Sequence, residues 1–320
     1  MYKIGIIDTM NLKGMNLLKN YKNFECELIT NLSHENLLEE IPKFDGIAIR
    51  RGRIDKDILS RCDKLKVIAR HGVGYDSIDT KMLKEKNITL LVTHNTTSTS
   101  PAEHIMFTIL NIYKGIGMFD EIVRSGNFHK AIHLDIKENF ELFAKKILIV
   151  GFGRIGKKLI KKCLGFDMEV LVYDPYVESS LIEQMNGKKV SSLVDGLKEA
   201  DILSLSTPLT DETRNLITLK EMKMMKKNSI IINSARGGIV NEVDLNYALD
   251  NNIIAFAGID VFEKEPPGIN NPLLKNKKVL LSPHAATFTK ECLEDMSLET
   301  GQNLIDFFEN KIDKNKIISL

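Results

Sequence analysis

Short apolar runs alternate with amphipathic stretches along the chain, and their lengths separate strands from helices. In the first hundred residues, runs of strand length lie at Lys3–Asp8, Phe24–Ile29, Gly46–Arg50, Lys66–Arg70 and Thr89–His94. Helical patterns such as Glu35–Ile41 and Asp55–Cys62 fall between them. The second half repeats the scheme, with strands expected at Ile147–Val150, Val170–Tyr173, Ile202–Ser206, Ile230–Asn233, Ala255–Asp260 and Val279–Ser282. Ile147–Val150 is apolar at every position, the mark of a parallel strand covered on both faces. Alternation of this kind predicts an α/β protein built of doubly wound parallel sheets. From Ser100, SPAEHIMFTILNIYKGIGMF reads as one long helix. Ser100 or Ser98 would cap it, with Pro101 in the first turn and Glu103 as capping-box partner. His104, inside that helix, reads as a packed or capping residue and not as a catalyst. The stretch Ser125–Leu142 is polar and aperiodic, a surface excursion, whereas Thr287–Phe308 is an amphipathic helix placed to return to the first domain.

Composition narrows the class. A chain of 320 residues is too long for one ordinary core and predicts two domains. The net charge of +1 argues against a nucleic-acid surface, and no apolar run approaches membrane-spanning length. Cys26, Cys62, Cys163 and Cys292 are scattered without CxxC spacing, so they are expected as reduced thiols of a cytoplasmic protein, with no metal site. The chain opens directly on a strand, so no signal peptide is expected.

The stretch KILIVGFGRIGKKLIKKCLGFDMEVLVYD, Lys146 to Asp174, carries the strongest chemical signal. A buried strand leads into Gly151, Gly153 and Gly156, then an amphipathic helix, then a second strand ending in Asp174. Gly151 permits a tight turn, Gly153 lets backbone approach a pyrophosphate, and Gly156 lets helix and strand pack closely. The helix N-terminus offers free N–H groups to phosphates. Asp174 can accept from both ribose hydroxyls and would repel a 2′-phosphate, which predicts NAD and not NADP. In the first half, GVGYDSID (Gly72–Asp79) sits at the end of a strand, where open α/β sheets place ligands; an ordinary glycine turn reads equally well.

Three polar positions follow strands in the second half: Arg236 in INSARGGIV, Glu265 in DVFEKEPP and His284 in SPHAATF. Each alone reads also as a surface arginine, a solvated glutamate or a capping histidine. Their shared placement after strands of one parallel sheet favours chemistry. A guanidinium can hold a carboxylate and polarise a ketone beside it. An imidazole can exchange a proton with the carbonyl oxygen, and a carboxylate beside it favours the charged form and fixes the ring. Backbone N–H groups around Val73 and Gly74 could bind a carboxylate.

With GVGYDSID, GFGRIG, STPLTDETRNLI, INSARGGIV, DVFEKEPP and SPHAATFT in this order and spacing, the chain resembles the D-isomer-specific 2-hydroxyacid dehydrogenases over nearly its whole length. Within that family it is most similar to phosphoglycerate and hydroxypyruvate dehydrogenases. The resemblance implies a Rossmann NAD domain, residues 98–287, inserted in a flavodoxin-like substrate domain, residues 1–97 and 288–320. It implies Arg236, Glu265 and His284 as catalytic residues. Cofactor contacts would fall on Val73, Arg154, Ile155, Asp174, Thr207, Ser234, Arg236, Asp260 and His284, beside the three glycines. It also implies a small 2-oxo or 2-hydroxy acid as partner, and a homodimer. Arg50, Arg51 and Arg53 form a basic cluster after a first-domain strand, and Arg50 matches the place where phosphoglycerate dehydrogenases hold phosphate, although RRGR departs from their usual wording. A solvated basic loop is the plainer reading. The chain leaves no length after the closing helix for the C-terminal regulatory domain of many phosphoglycerate dehydrogenases, so serine feedback through such a domain is not expected. The expected substrate pair is 3-phosphoglycerate and phosphohydroxypyruvate, with a hydroxypyruvate or glyoxylate reductase as alternative. An NAD-sensing corepressor of the same fold is the reading from another class.

Overall fold

A computed structural model describes residues 1–94, 96–129 and 139–319. The chain divides into two compact units, Met1–Thr97 with Thr287–Leu320, and Ser98–Ala286.

The first unit is built on a five-stranded sheet of β1 (Tyr2–Ile7), β2 (Phe24–Ile29), β3 (Gly46–Ile49), β4 (Val67–Arg70) and β5 (Thr89–Val92). Its order is β2-β1-β3-β4-β5 and every pairing is parallel, the flavodoxin-like order. Ile4, Ile6, Ile47, Ile49, Val67 and Leu90 are all but fully buried, because helices cover both faces. Four of these helices are α1 (Leu12–Lys19), α2 (His34–Glu40), α3 (Lys56–Ser60) and α4 (Thr80–Glu85). Their N-termini are capped by Asn11, Ser33, Asp55 and Asp79, each accepting a backbone N–H of the first turn. The closing helix, residues Lys290–Phe308, packs on α1, β3 and β4 of this unit. Gly14 allows that approach: a Cβ there would collide with the Ser297 carbonyl. Beyond the helix, Ile317 forms an antiparallel bridge with Leu91, covering part of the β5 edge.

The second unit carries seven parallel strands: β6 (Lys146–Val150), β7 (Glu169–Tyr173), β8 (Lys188–Lys189), β9 (Ile202–Leu205), β10 (Ile230–Asn233), β11 (Phe256–Ile259) and β12 (Val279–Leu281). Their order, β12-β11-β10-β9-β6-β7-β8, reverses direction between β6 and β9. That reversal opens a crevice at the carboxyl ends of β6 and β9, the place where such sheets take ligands. The N-terminal helical stretch differs from the sequence expectation. It is two helices, α5 (Thr99–Lys114) and α6 (Ile116–Arg124), broken at Gly115 with φ 58°. A left-handed glycine ends the first helix, and Asn139 donates its side-chain amide to the Lys114 carbonyl at the break. The expected cap is also corrected. Ser98 stands at the N-cap without a side-chain cap bond. Ser100 instead donates to the Ala286 carbonyl at 2.6 Å, and Glu103 pairs with Lys162 at 2.9 Å. Among the described residues this unit also has α7 (Arg154–Leu164), α8 (Ser179–Glu183), α9 (Leu193–Glu199), α10 (Leu219–Met222) and α11 (Glu242–Asp250), and the closing helix of the first unit is α12. Residues 130–138 of the expected surface excursion lie outside the described residues. Among the described residues no helix is long and apolar enough to cross a membrane.

Candidate active site

The glycine turn gives each glycine a separate steric reason. Gly151 has φ 93°, and a Cβ there would lie 2.6 Å from the Ser206 carbonyl oxygen. Gly156 approaches the Gly151 carbonyl, where a Cβ would stand 2.6 Å from its oxygen. Gly153 is different: a Cβ would meet nothing within 4 Å. Internal packing therefore requires the first and third glycines, and only the second faces open space, where a bound group can approach the backbone. Arg154 and Ile155 follow in the first turn of α7. Across the turn, Asp174 accepts the Phe152 N–H at 2.8 Å and the Tyr176 N–H at 2.9 Å, one on each carboxylate oxygen. These bonds hold the carboxylate at the end of β7, and each oxygen retains lone-pair capacity for a ribose hydroxyl. The donors and the acid present fit a dinucleotide.

Thr207, Ser234, Arg236, Asp260 and His284 all lie just past the carboxyl ends of β9, β10, β11 and β12. Asn233, buried at the end of β10, shapes the arginine loop by accepting the Ala235 N–H and donating to the Arg236 carbonyl at 2.9 Å. Gly237 is forced by close approach, since a Cβ would collide with the Phe262 carbonyl. His284 is a non-glycine residue in the left-handed region, φ 53°. Its Nδ1 lies 2.7 Å from Glu265 Oε2, and the other carboxylate oxygen accepts the Phe262 N–H at 3.1 Å. Burial pushes the Glu265 carboxyl up, but the bond to His284, the imidazole's charge, the Phe262 N–H and Arg236 together bring it below its ordinary range. The carboxylate thus stays ionised beside the ring.

Asp260 differs from a simple ligand contact. It is 1% exposed, and its carboxylate accepts the Ser282 hydroxyl, the Ala285 N–H at 2.7 Å and the Ala286 N–H at 3.0 Å. Its carboxylate is engaged within the protein and secures the loop that carries His284.

In the first unit, Arg50, Val73 and Gly74 lie at the carboxyl ends of β3 and β4. Arg70 is the residue that sequence reasoning missed. Its guanidinium donates to the carbonyls of Ile49, Arg50, His71 and Gly74, tying the arginine loop to the glycine loop. A charged residue closing an otherwise apolar strand was the available signal. The Gly72 carbonyl accepts the Thr93 N–H at 3.1 Å, so the Val73 N–H of the same planar peptide points the opposite way. Arg51 is ion-paired with Asp8 at 2.6 Å, and Arg50 donates to the Thr9 carbonyl at 3.1 Å.

Comparison with known proteins agrees with this geometry. Residues 106–286 match the family model described as D-isomer specific 2-hydroxyacid dehydrogenase, NAD binding domain. A D-3-phosphoglycerate dehydrogenase of Methanocaldococcus jannaschii is 35% identical over 91% of this chain, which spans only 54% of that protein's length. A glyoxylate reductase of Thermococcus litoralis is 36% identical over 88% of this chain and 86% of its own. Among solved structures, a protein of Thermus thermophilus superposes with a TM-score of 0.89 at 27% identity, covering 99% of this chain and all of that one. By its glycine turn, its two parallel sheets and these similarities, the chain belongs to the D-isomer specific 2-hydroxyacid dehydrogenases, a family of NAD-dependent oxidoreductases.

Proposed function

We propose that this chain interconverts a 2-oxo acid and its D-2-hydroxy acid, with phosphohydroxypyruvate and 3-phosphoglycerate as the substrate pair. The observation that carries the reading is the 2.7 Å pair of His284 and Glu265 at the carboxyl edge of the sheet that also holds the glycine turn. When bound, the nicotinamide supplies or receives the hydride. His284 donates a proton to the carbonyl oxygen during reduction and takes it back during oxidation. Glu265 orients the ring through Nδ1, which leaves Nε2 for the reacting oxygen. Arg236 binds the carboxylate and polarises the ketone. The Val73 and Gly74 N–H groups are assigned to a substrate carboxylate, and Arg50 to the distal phosphate. Since Arg51 is paired with Asp8, Arg53 is its supporting cation.

A second reading, a glyoxylate or hydroxypyruvate reductase, is favoured by the match to glyoxylate reductases along most of their length. NADH oxidation with phosphohydroxypyruvate, hydroxypyruvate, glyoxylate and branched 2-oxo acids separates the two. The expected result is a kcat/KM at least roughly tenfold higher for phosphohydroxypyruvate, about 1.4 kcal/mol of selective binding. Arg50→Ala raises KM for it and spares glyoxylate, whereas Arg236→Lys lowers activity on every substrate. No preference for the phosphorylated acid gives the second reading. Tight NADH binding without turnover of any acid sinks both and leaves an NAD-sensing protein.

A further inference from the structure

We propose that His104 is a positioning residue for His284, acting through a hydrogen-bonded relay of Ser282 and Asp260. The proposal rests on the catalytic reading of His284. Three successive N–H groups of the histidine loop end on one residue. His284 N–H donates to the Asp260 carbonyl at 2.7 Å, Ala285 N–H to Oδ1 at 2.7 Å, and Ala286 N–H to Oδ2 at 3.0 Å. This clamp holds His284 at φ 53°, a conformation costly for a residue with a side chain. The clamp depends on the position and charge of a carboxylate that is 1% exposed, and a buried carboxylate persists only when its oxygens are well supplied with donors.

The relay supplies the donor that the loop does not. Ser282 Oγ lies against Asp260 Oδ1, and His104 Nε2 lies 3.2 Å from Ser282 Oγ and 3.7 Å from Asp260 Oδ1. The direction of the chain follows from its end. An ionised Asp260 only accepts, so the Ser282 hydroxyl donates to it, and the Ser282 oxygen then accepts a hydrogen bond from the His104 Nε2–H. His104 therefore carries a proton on Nε2 and anchors the far end of the relay from α5. Packing alone does not fix the ring. A cavity of about 60 Å³ adjoins it, lined also by Phe107, Thr108 and Ser234. Hydrogen bonding thus sets the His104 orientation, and through Asp260 it sets the loop that presents His284 to Glu265.

The test compares two variants of similar size at position 104 and one at the middle of the relay. His104→Gln can place an amide N–H near the position of Nε2 and is expected to retain most of the turnover. His104→Leu cannot, and its kcat is expected to fall roughly tenfold, since small misplacements of a reacting group cost this much or more. NADH affinity, read by fluorescence titration, is expected to stay within about twofold for both. Ser282→Ala breaks the same chain with little change in volume, so it serves if His104→Leu folds poorly. It is expected to reproduce the loss, and the double variant to lose little more than either single one. Equal effects of Gln and Leu, additive effects with Ser282→Ala, or full activity in both His104→Leu and Ser282→Ala would overturn the relay. His284→Ala is measured alongside. If it retains full turnover, the catalytic reading itself fails. If it loses turnover while the relay variants do not, only the present inference fails.

Discussion

His71 opens the turn after β4 at 5% exposure, and a buried base there has consequences for acid stability. Burial first, then the charges of Arg70 and Arg50, push its pKa down from 6.5 to about 4, with Asp8 opposing them. The ring is therefore neutral in the folded protein at neutral pH. Above pH 6.5 neither state binds the proton and His71 adds no pH dependence. Between 6.5 and about 4 the unfolded chain binds a proton that the folded one refuses, so stability falls as pH falls. The full loss is on the order of 3 kcal/mol. His71→Gln, which does not titrate, should show a flatter decline of melting temperature across that window. An unchanged slope would mean that His71 is protonated in the folded state.

The strand–turn–helix element of β6 and α7 separates folding from binding within six residues. A methyl group at Gly156 would press on the Gly151 carbonyl from 2.6 Å, whereas one at Gly153 would meet nothing within 4 Å. Gly156→Ala is accordingly expected to lower stability by about 1–3 kcal/mol, as an overpacked site does. Gly153→Ala is expected to leave the melting temperature of the unliganded protein nearly unchanged and to weaken NADH binding roughly tenfold or more. Calorimetric melting with NADH titration checks both, and undiminished NADH affinity of Gly153→Ala would remove the turn from cofactor binding. A comparable contrast runs through α5. Apolar periodicity continues across Gly115, yet the backbone breaks there because a glycine meets almost no steric cost in the left-handed region.

At the scale of the whole molecule, α6 presents an unusual surface. None of its residues is buried, and Ile116, Met118 and Val123 are 57%, 47% and 51% exposed, with Phe107 of α5 at 58%. Apolar side chains gathered on one helix in this way mark an association surface. A homodimer formed through α5 and α6 is the expected assembly. Light scattering should give twice the 36.2 kDa of one chain, and Met118→Lys with Val123→Lys should halve that mass while the fold survives. A wild-type mass of one chain would dismiss the dimer.

Much of the site was readable along the chain because its signals are local. Wholly apolar strand runs reflect sheets covered on both faces, and a turn too tight for any Cβ can only be written with glycine, so Gly151 and Gly156 announce their geometry in order. Arg236, Glu265 and His284 could be picked out because each follows a strand directly. The rest needed three dimensions. The contact of His284 with Glu265 joins residues nineteen apart, and the bond of His104 to Ser282 joins residues 178 apart. Nothing in local periodicity ranks such pairs above the alternatives. The same holds for Arg70, whose four carbonyl partners come from two separate loops, and for Arg51, whose charge is matched by Asp8 across 43 residues. Local propensity and sterics settle which backbone shapes a sequence can take, and so the strands, the glycine turn and the family were decided by the sequence alone. Which polar side chains satisfy one another depends on where the folded sheets bring their loops together, and only the tertiary structure decided that.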